Sequence, residues 1–261
     1  YSLFQNLIAG GQDEEGNDVR NHIYLPDPDE VWIDYLTGEK YLGGQVLNNF
    51  AAPLWKLPVF VKNGTILPMY EANNTPDAID RTKRMIEFWP DGDSFYTTYE
   101  DDGKYIHNQT EEDEKYGTID HVSYGSHVST TYTSSVKEGK AILTAECSEG
   151  TYEGYEEKRS STFIVHLSNR PEAVTAWNGE EKLHLTEAEN LEIFEQSEPK
   201  KGEGIFFYDE HPMIRTYASE EEKILRAMVE KVQAEPKLYV KLATVDSQKE
   251  KQIVEILGFE N

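Results

Sequence analysis

Three prolines constrain this chain more than any other feature. In APLWKLPVFVKNGTILPMY, Pro53, Pro58 and Pro68 each lack an amide donor and crowd the preceding turn, so no helix can run through the stretch. The residues between them are apolar and β-branched, and Asn63-Gly64 sits between PVFVK and TILPM, the strongest short-range signal for a hairpin. Upstream, HIYLP, EVWIDYLTGE and KYLGGQVLNNF are β-rich runs punctuated by Thr37-Gly38-Glu39 and Gly43-Gly44. A second series begins at Met85. RMIEFWP and SFYTTYE flank Asp91-Gly92-Asp93, and KAILTAEC, TFIVHL, AVTAWNG, KLHLT, LEIF and GIFFYD follow. Turn residues return about every 8–12 positions, the spacing of a sandwich. In TFIVHL, alternation puts Phe163, Val165 and Leu167 on one face and Ile164 and His166 on the other.

One segment departs from this texture. SEEEKILRAMVEKVQAE places Ser219 and Glu222 at capping-box spacing, and Ile224, Leu225, Met228, Val229 and Val232 form a helical stripe. The pattern predicts one short helix near the C-terminus. PKLYVKLATV and KQIVEILGF then return to strands, with Leu238, Val240 and Leu242 on a shared face. At ~100–200 residues per domain, 261 residues fit one large β domain or two smaller ones. The polar, proline-bearing EANNTPDAIDRTK (Glu71 to Lys83) reads as the connection between two. The expected fold is therefore mainly all-β, with two consecutive antiparallel β-sandwich domains over 21–84 and 85–261, after a short apolar element and acidic loop over 1–20. The abrupt ends, YSLFQNLIAG and ILGFEN, lead us to expect a piece of a longer chain.

Charge excludes some partners. The chain has 49 Asp and Glu against 25 Lys and Arg, a formal net charge of -24, which repels a phosphate backbone and disfavours an anionic membrane surface. We expect no nucleic-acid and no membrane partner. No apolar run reaches the ~18 residues of a membrane span. The single cysteine, Cys147, has no disulfide partner, and its acidic flanks oppose thiolate formation.

The motifs are sparse. YEDDGKYIHN brings Glu100, Asp101 and Asp102 before Gly103. Asp-Gly between β-rich runs favours a hairpin with a hydrophilic tip. Calcium is an alternative, because adjacent acids supply oxygens, but no stretch has the EF-hand spacing. Catalysis is a third, although neighbouring acids on a strand point to opposite faces and cannot flank one glycosidic bond. Asp34, in WID, follows an apolar strand, and the TGE nearby makes it a strand end. The seven histidines are scattered, with no zinc spacing and no HExxH. YGSHVS lacks the nucleophile-elbow pattern, and AGGQDEEG lacks the phosphate-loop pattern. No cofactor, metal or catalytic residue is assigned. Trp55, Trp89, Trp177 and Tyr155 are the candidate carbohydrate-binding residues, since an exposed aromatic face suits the C–H face of a pyranose; the alternative for each is a place in the core.

IYLPDPDEVWIDYLTGEKYLGGQ followed by APLWKLPVFVKNGTILPMY resembles the segment just after the catalytic barrel in glycoside hydrolase family 31. YEDDGKY is similar to the family's hairpin at the start of its distal C-terminal sandwich, and ECSEGTYEGYEEKRSSTFIVHL and PEAVTAWNG are looser matches to later strands. YSLFQNLIAGG is similar to the last barrel elements, though Gly10-Gly11 departs from the family pattern. The resemblance implies a barrel remnant over 1–20, a proximal sandwich over 21–84 and a distal one over 85–261. It implies a parent that is a retaining α-glycosidase or transglycosylase, with two catalytic aspartates on a (β/α)8 barrel. Asp34 shares only W-x-D with the nucleophile motif, and no residue here matches either aspartate. The expectation is a non-catalytic C-terminal fragment partnered by the catalytic barrel of the same parent chain. The alternative is a carbohydrate-binding module for α-linked oligosaccharides.

Overall fold

The computed structural model describes residues 10–53, 56–71, 73, 75–103, 125–212 and 234–260. The chain divides into two compact units, one from Tyr1–Thr65 with Glu210–Pro236, the other from Ile66–Asp209 with Lys237–Asn261. Among the described residues both are mainly β, as expected. The helix expected over 219–235 falls almost wholly on residues outside the described ones.

The first unit contains short antiparallel strands. β1 (Gly10–Gln12), β2 (Asp18–Arg20) and β7 (Phe50–Ala51) form one sheet; β3 (Ile23–Leu25) pairs with β6 (Gln45–Leu47); β4 (Val31–Asp34) lies between β5 (Lys40–Leu42) and β8 (Phe60–Lys62). Ile23, Leu25, Phe50 and Ala52 are buried together, and Trp32, Tyr41, Leu47 and Phe60 pack on them. The rings of Tyr41, Phe50 and Phe60 meet edge to face at 5.3–6.2 Å, a geometry that aligns ring edges with ring faces. Gly43 is obligatory by close approach, because a Cβ there would collide with the Asp27 carbonyl oxygen.

The second unit is a two-sheet sandwich. One sheet runs in the order β18 (His184–Glu187), β19 (Glu203–Asp209), β20 (Lys237–Asp246), β15 (Lys158–His166), β10 (Lys83–Phe88), β9 (Ile66–Met69). The other runs β11 (Asp93–Asp101), β12 (His127–Lys137), β13 (Lys140–Ala145), β21 (Gln252–Leu257), β16 (Ala173–Asn178), β17 (Glu181–Lys182), with β14 (Glu149–Gly150) on β12. Leu143, Val254 and Ile256 from one sheet and Phe88, Phe163, Val165, Leu238, Val240 and Leu242 from the other form the shared core. Most pairs are antiparallel, but β10 runs parallel to β15 and β18 parallel to β19.

Three local expectations are corrected. Asn63-Gly64 does turn the chain, with Gly64 at φ 81° and the Thr65 amide donating to the Lys62 carbonyl at 3.1 Å. The strands on either side do not pair with each other: β8 joins β4 and β9 joins β10. LEIF is no strand but the start of α1 (Leu191–Gln196), whose first turn is capped by Asn190, its side-chain oxygen accepting from the Ile193 amide at 2.9 Å. Asp102-Gly103 does not close a two-residue hairpin, because Asp101 stands opposite His127 and the connection runs from 102 to 126.

Candidate functional site

Alternation along β11 decides what the three acids do. Glu100 points inward and meets Arg159, a fully buried side chain at the start of β15. The pair is bidentate, Nη1 to Oε1 at 2.7 Å and Nη2 to Oε2 at 2.9 Å, the strong fork geometry of guanidinium and carboxylate. A register shift between Arg159 and Ser161 marks a bulge beside the pair. Arg159 also donates Nε to the Glu156 carbonyl at 2.8 Å and lies 4.6 Å over the Tyr155 ring. Tyr70 donates its hydroxyl to Glu100 at 3.2 Å. Burial, then the charge of Glu100, pushes Tyr70 up to about 12, so it stays a neutral donor. Asp101 turns the other way and accepts the Gly103 amide at 2.9 Å, with Gly103 at φ 69°. Glu100 is thus a structural anion, and the two adjacent acids do not face a common bond.

Asp34 is consumed in the same fashion. It ends β4 fully buried. Oδ1 accepts the Leu36 amide at 3.1 Å, and Oδ2 accepts the Thr37 hydroxyl at 2.9 Å and Lys56 Nζ at 2.6 Å. Its carbonyl takes the Gly38 amide at 2.8 Å, and Gly38 sits at φ 77°. The W-x-D…T-G spacing therefore encodes a turn held by an aspartate, as its strand-end reading required.

A second buried ion cluster lies in the sandwich. Glu87 and His166 are each 2 % exposed; Oε1 of Glu87 receives His166 Nε2 at 2.7 Å and Lys237 Nζ at 2.9 Å. Burial acts to raise the Glu87 carboxyl, but His166 and Lys237 more than offset it and hold it down at about 2. A carboxyl depressed from 4.5 contributes its stability in full above pH ~4.5 and loses it as pH falls toward 2, an amount of about 3 kcal/mol. Urea unfolding across that window should show a Glu87→Gln variant losing less stability with acid than the parent. Identical pH slopes would mean that Glu87 titrates as an ordinary acid.

Among the described residues no group of three or more His, Cys, Asp or Glu side chains stands close enough to hold a metal ion.

The sugar-contact candidates scatter. Trp55 lies outside the described residues. Trp89 is fully buried and stacks on His166 at 4.2 Å, so it offers no face to a ligand from solvent; the strand pairing that buries RMIEFW puts it inside. Tyr155 is half-buried and sandwiched between Arg159, Tyr152 and Ser247, whose Oγ lies 2.8 Å from its hydroxyl. Trp177 is half-buried on β16, with Lys182 Nζ 5.7 Å from its ring centroid. The exposed aromatics are ones the sequence reading passed over. Phe95 is 76 % and Tyr99 43 % exposed, on the outer face of β11. Between them Thr97 shares a hydroxyl contact with Thr131 at 2.9 Å, and Tyr99 stacks on His127 at 4.6 Å. One register row continues from Phe95 through Thr133, Thr144 and Ile253 to Trp177. At 4.7–4.9 Å per strand the two rings are about 19 Å apart. The signal was the alternation in SFYTTYE opposite a threonine-rich partner strand.

The fold and these sites define a tandem β region whose buried acids serve structure. Residues 6–67 match the glycosyl hydrolase family 31 C-terminal domain, so that segment resembles the C-terminal domain region of that family. Curated relatives include an alpha-xylosidase of Saccharolobus solfataricus, 32% identical over 90 residues, which are 33% of this chain and 11% of that protein. An isomaltosyltransferase of Sporosarcina globispora is 31% identical over 159 residues, 55% of this chain and 14% of the relative. The chain thus spans a small part of each. Among solved structures, a Flavobacterium johnsoniae family 31 dextranase complexed with isomaltotriose aligns at TM-score 0.59 and 22% identity, covering 92% of this chain and 24% of that one. An alpha-1,4-glucan lyase of Gracilariopsis lemaneiformis aligns at TM-score 0.54 and 15% identity, covering 92% and 21%. These two likenesses concern the fold.

Proposed function

We propose that this chain is the non-catalytic C-terminal part of a family 31 retaining α-glycosidase, a proximal and a distal β domain that support the (β/α)8 catalytic barrel of the same parent chain. The observation that carries this reading is the family match over 6–67 combined with the fate of the acids inside and beyond it. Asp34 is spent on a turn and Lys56, and Glu100 on Arg159. A retaining glycosidase needs two carboxyls ~5–5.5 Å apart and open to a sugar, and neither of these is open. The purified chain should release no p-nitrophenol from a panel of aryl α-glycosides above a buffer blank. Turnover that co-purifies with the chain and disappears in Asp34→Ala or Glu100→Gln would overturn the reading.

A second reading has its own observation: the exposed aromatic and hydroxyl face of β11 and β12. On this reading Phe95, Tyr99 and Trp177 receive an α-linked oligosaccharide. Calorimetric titration with isomalto- and malto-oligosaccharides should give saturable heat that a Phe95→Ala, Tyr99→Ala double variant abolishes. Silence across the panel removes it.

A further inference from the structure

We propose that the cavity beside Arg84 in the second unit is a binding site for a small monoanion, a halide or a one- or two-carbon carboxylate. Arg84, on β10, is only 4 % exposed. A guanidinium is charged at every accessible pH and carries five donors. Its acceptors are all neutral: Ser161 Oγ from Nε at 3.2 Å and Gln252 Oε1 from Nη2 at 3.3 Å. Nη1 is buried with no hydrogen-bond partner. Gln252 cannot turn to improve matters, because its amide nitrogen is held by Asn178 Oδ1 and the Ala243 carbonyl, both at 3.0 Å. A buried cation with neutral partners alone is a costly arrangement, since desolvation is repaid only by an opposite charge.

Arg84 lines a cavity of about 130 Å³, whose other polar walls are Tyr70, Thr98, Glu100, Tyr132 and Arg159. The nearby carboxylate does not answer Arg84, because both Glu100 oxygens are engaged by Arg159. The lining therefore carries two guanidinium charges against one carboxylate, an excess of one positive charge. Within a chain of net charge -24 this is a local reversal of sign. Size narrows the ligand. The cavity holds about four times the ~30 Å³ share of one water, which suits a single small ion with a water or two. It is well short of the ~300 Å³ at which pockets begin to enclose a drug-sized molecule. Nη1 offers two N–H donors, and the Tyr132 hydroxyl can add another.

The test uses the whole chain at fixed ionic strength, with sodium gluconate exchanged stepwise for chloride, bromide or formate. A ligand bound by the fold alone stabilises it in proportion to the logarithm of its concentration. The unfolding temperature of the parent should rise by a few degrees, climbing with the logarithm of concentration once the anion exceeds its dissociation constant, in at least one of the three small anions. The rise should be absent in Arg84→Gln. Crystals grown in bromide should show an anomalous peak within hydrogen-bonding distance of Nη1; a formate response without that peak assigns the site to carboxylates. Equal unfolding temperatures in all four salts, with water alone filling the cavity in the bromide crystal, overturn the proposal. So does a salt response that Arg84→Gln retains. Should that variant fail to fold, the bromide and formate crystals of the parent decide the matter.

Discussion

Replacing Glu100 with alanine should lower the stability of the second unit by about 3–5 kcal/mol, the cost of leaving a buried charge without its partner. Arg159 is 0 % exposed in its side chain and meets both carboxylate oxygens, so the guanidinium left behind keeps only the Glu156 carbonyl and the Tyr155 ring. Tyr70 loses its acceptor in the same step. The comparison that separates charge from shape is Glu100→Gln, which keeps the outline and loses the ion. The double variant Glu100→Gln, Arg159→Met should cost clearly less than the sum of the two single changes, because removing both partners leaves no orphaned charge. Urea unfolding followed by circular dichroism reads the parent and all four variants. A loss below about 1 kcal/mol for the alanine variant would match a solvated surface pair and would remove this cluster from the list of features that hold the sandwich together.

The second large effect is expected at Asp34. Asp34→Ala removes the acceptor of the Leu36 amide and the Thr37 hydroxyl and leaves Lys56, 9 % exposed in its side chain, without its 2.6 Å counter-ion. The expected loss is about 3–5 kcal/mol in the first unit. Asp34→Asn keeps an oxygen for the turn and loses only the charge, so it should cost roughly half as much. Trp32 reports the transition well, since its indole N–H donates to the Pro26 carbonyl at 2.8 Å within the same unit. Equal losses for both variants would assign the whole effect to the ion pair and none to the turn. The sandwich of the second unit should unfold as before in either variant, since Asp34 makes its contacts within the first.

Much of the fold was legible because β-structure has a short period. The prolines barred helix, and alternation picked out strands such as Leu238, Val240 and Leu242, all fully buried. In TFIVHL, alternation assigned two faces, and both turned out to be covered. Phe163, Ile164, Val165, His166 and Leu167 are all buried, the first, third and fifth in the shared core and His166 under the Trp89 ring. LEIF was misread because four residues of apolar and acidic character fit a strand or one turn of helix equally well. What settled it was Asn190, whose side chain caps the turn, a signal in the sequence that was passed over.

The candidate sites were harder to read, for a reason visible at Glu100, Asp34 and Arg84. An acid or an arginine has the same letter whether it is solvated, paired or stranded, and its chemistry depends on a partner far along the chain. Glu100 finds Arg159, Glu87 finds His166 and Lys237, and Arg84 finds Gln252.

The sequence by itself determined the class of fold, the turns at Thr37-Gly38 and Asn63-Gly64, and the family resemblance, because each rests on residues adjacent or alternating in the chain. Only the tertiary structure decided that the strands beside Asn63-Gly64 take different partners, that Trp89 is inside while Phe95 and Tyr99 are outside, and that Arg84 lines a cavity with hydrogen bonds to neutral acceptors alone. Strand pairing and burial depend on which distant surfaces meet, and no local pattern carries that information.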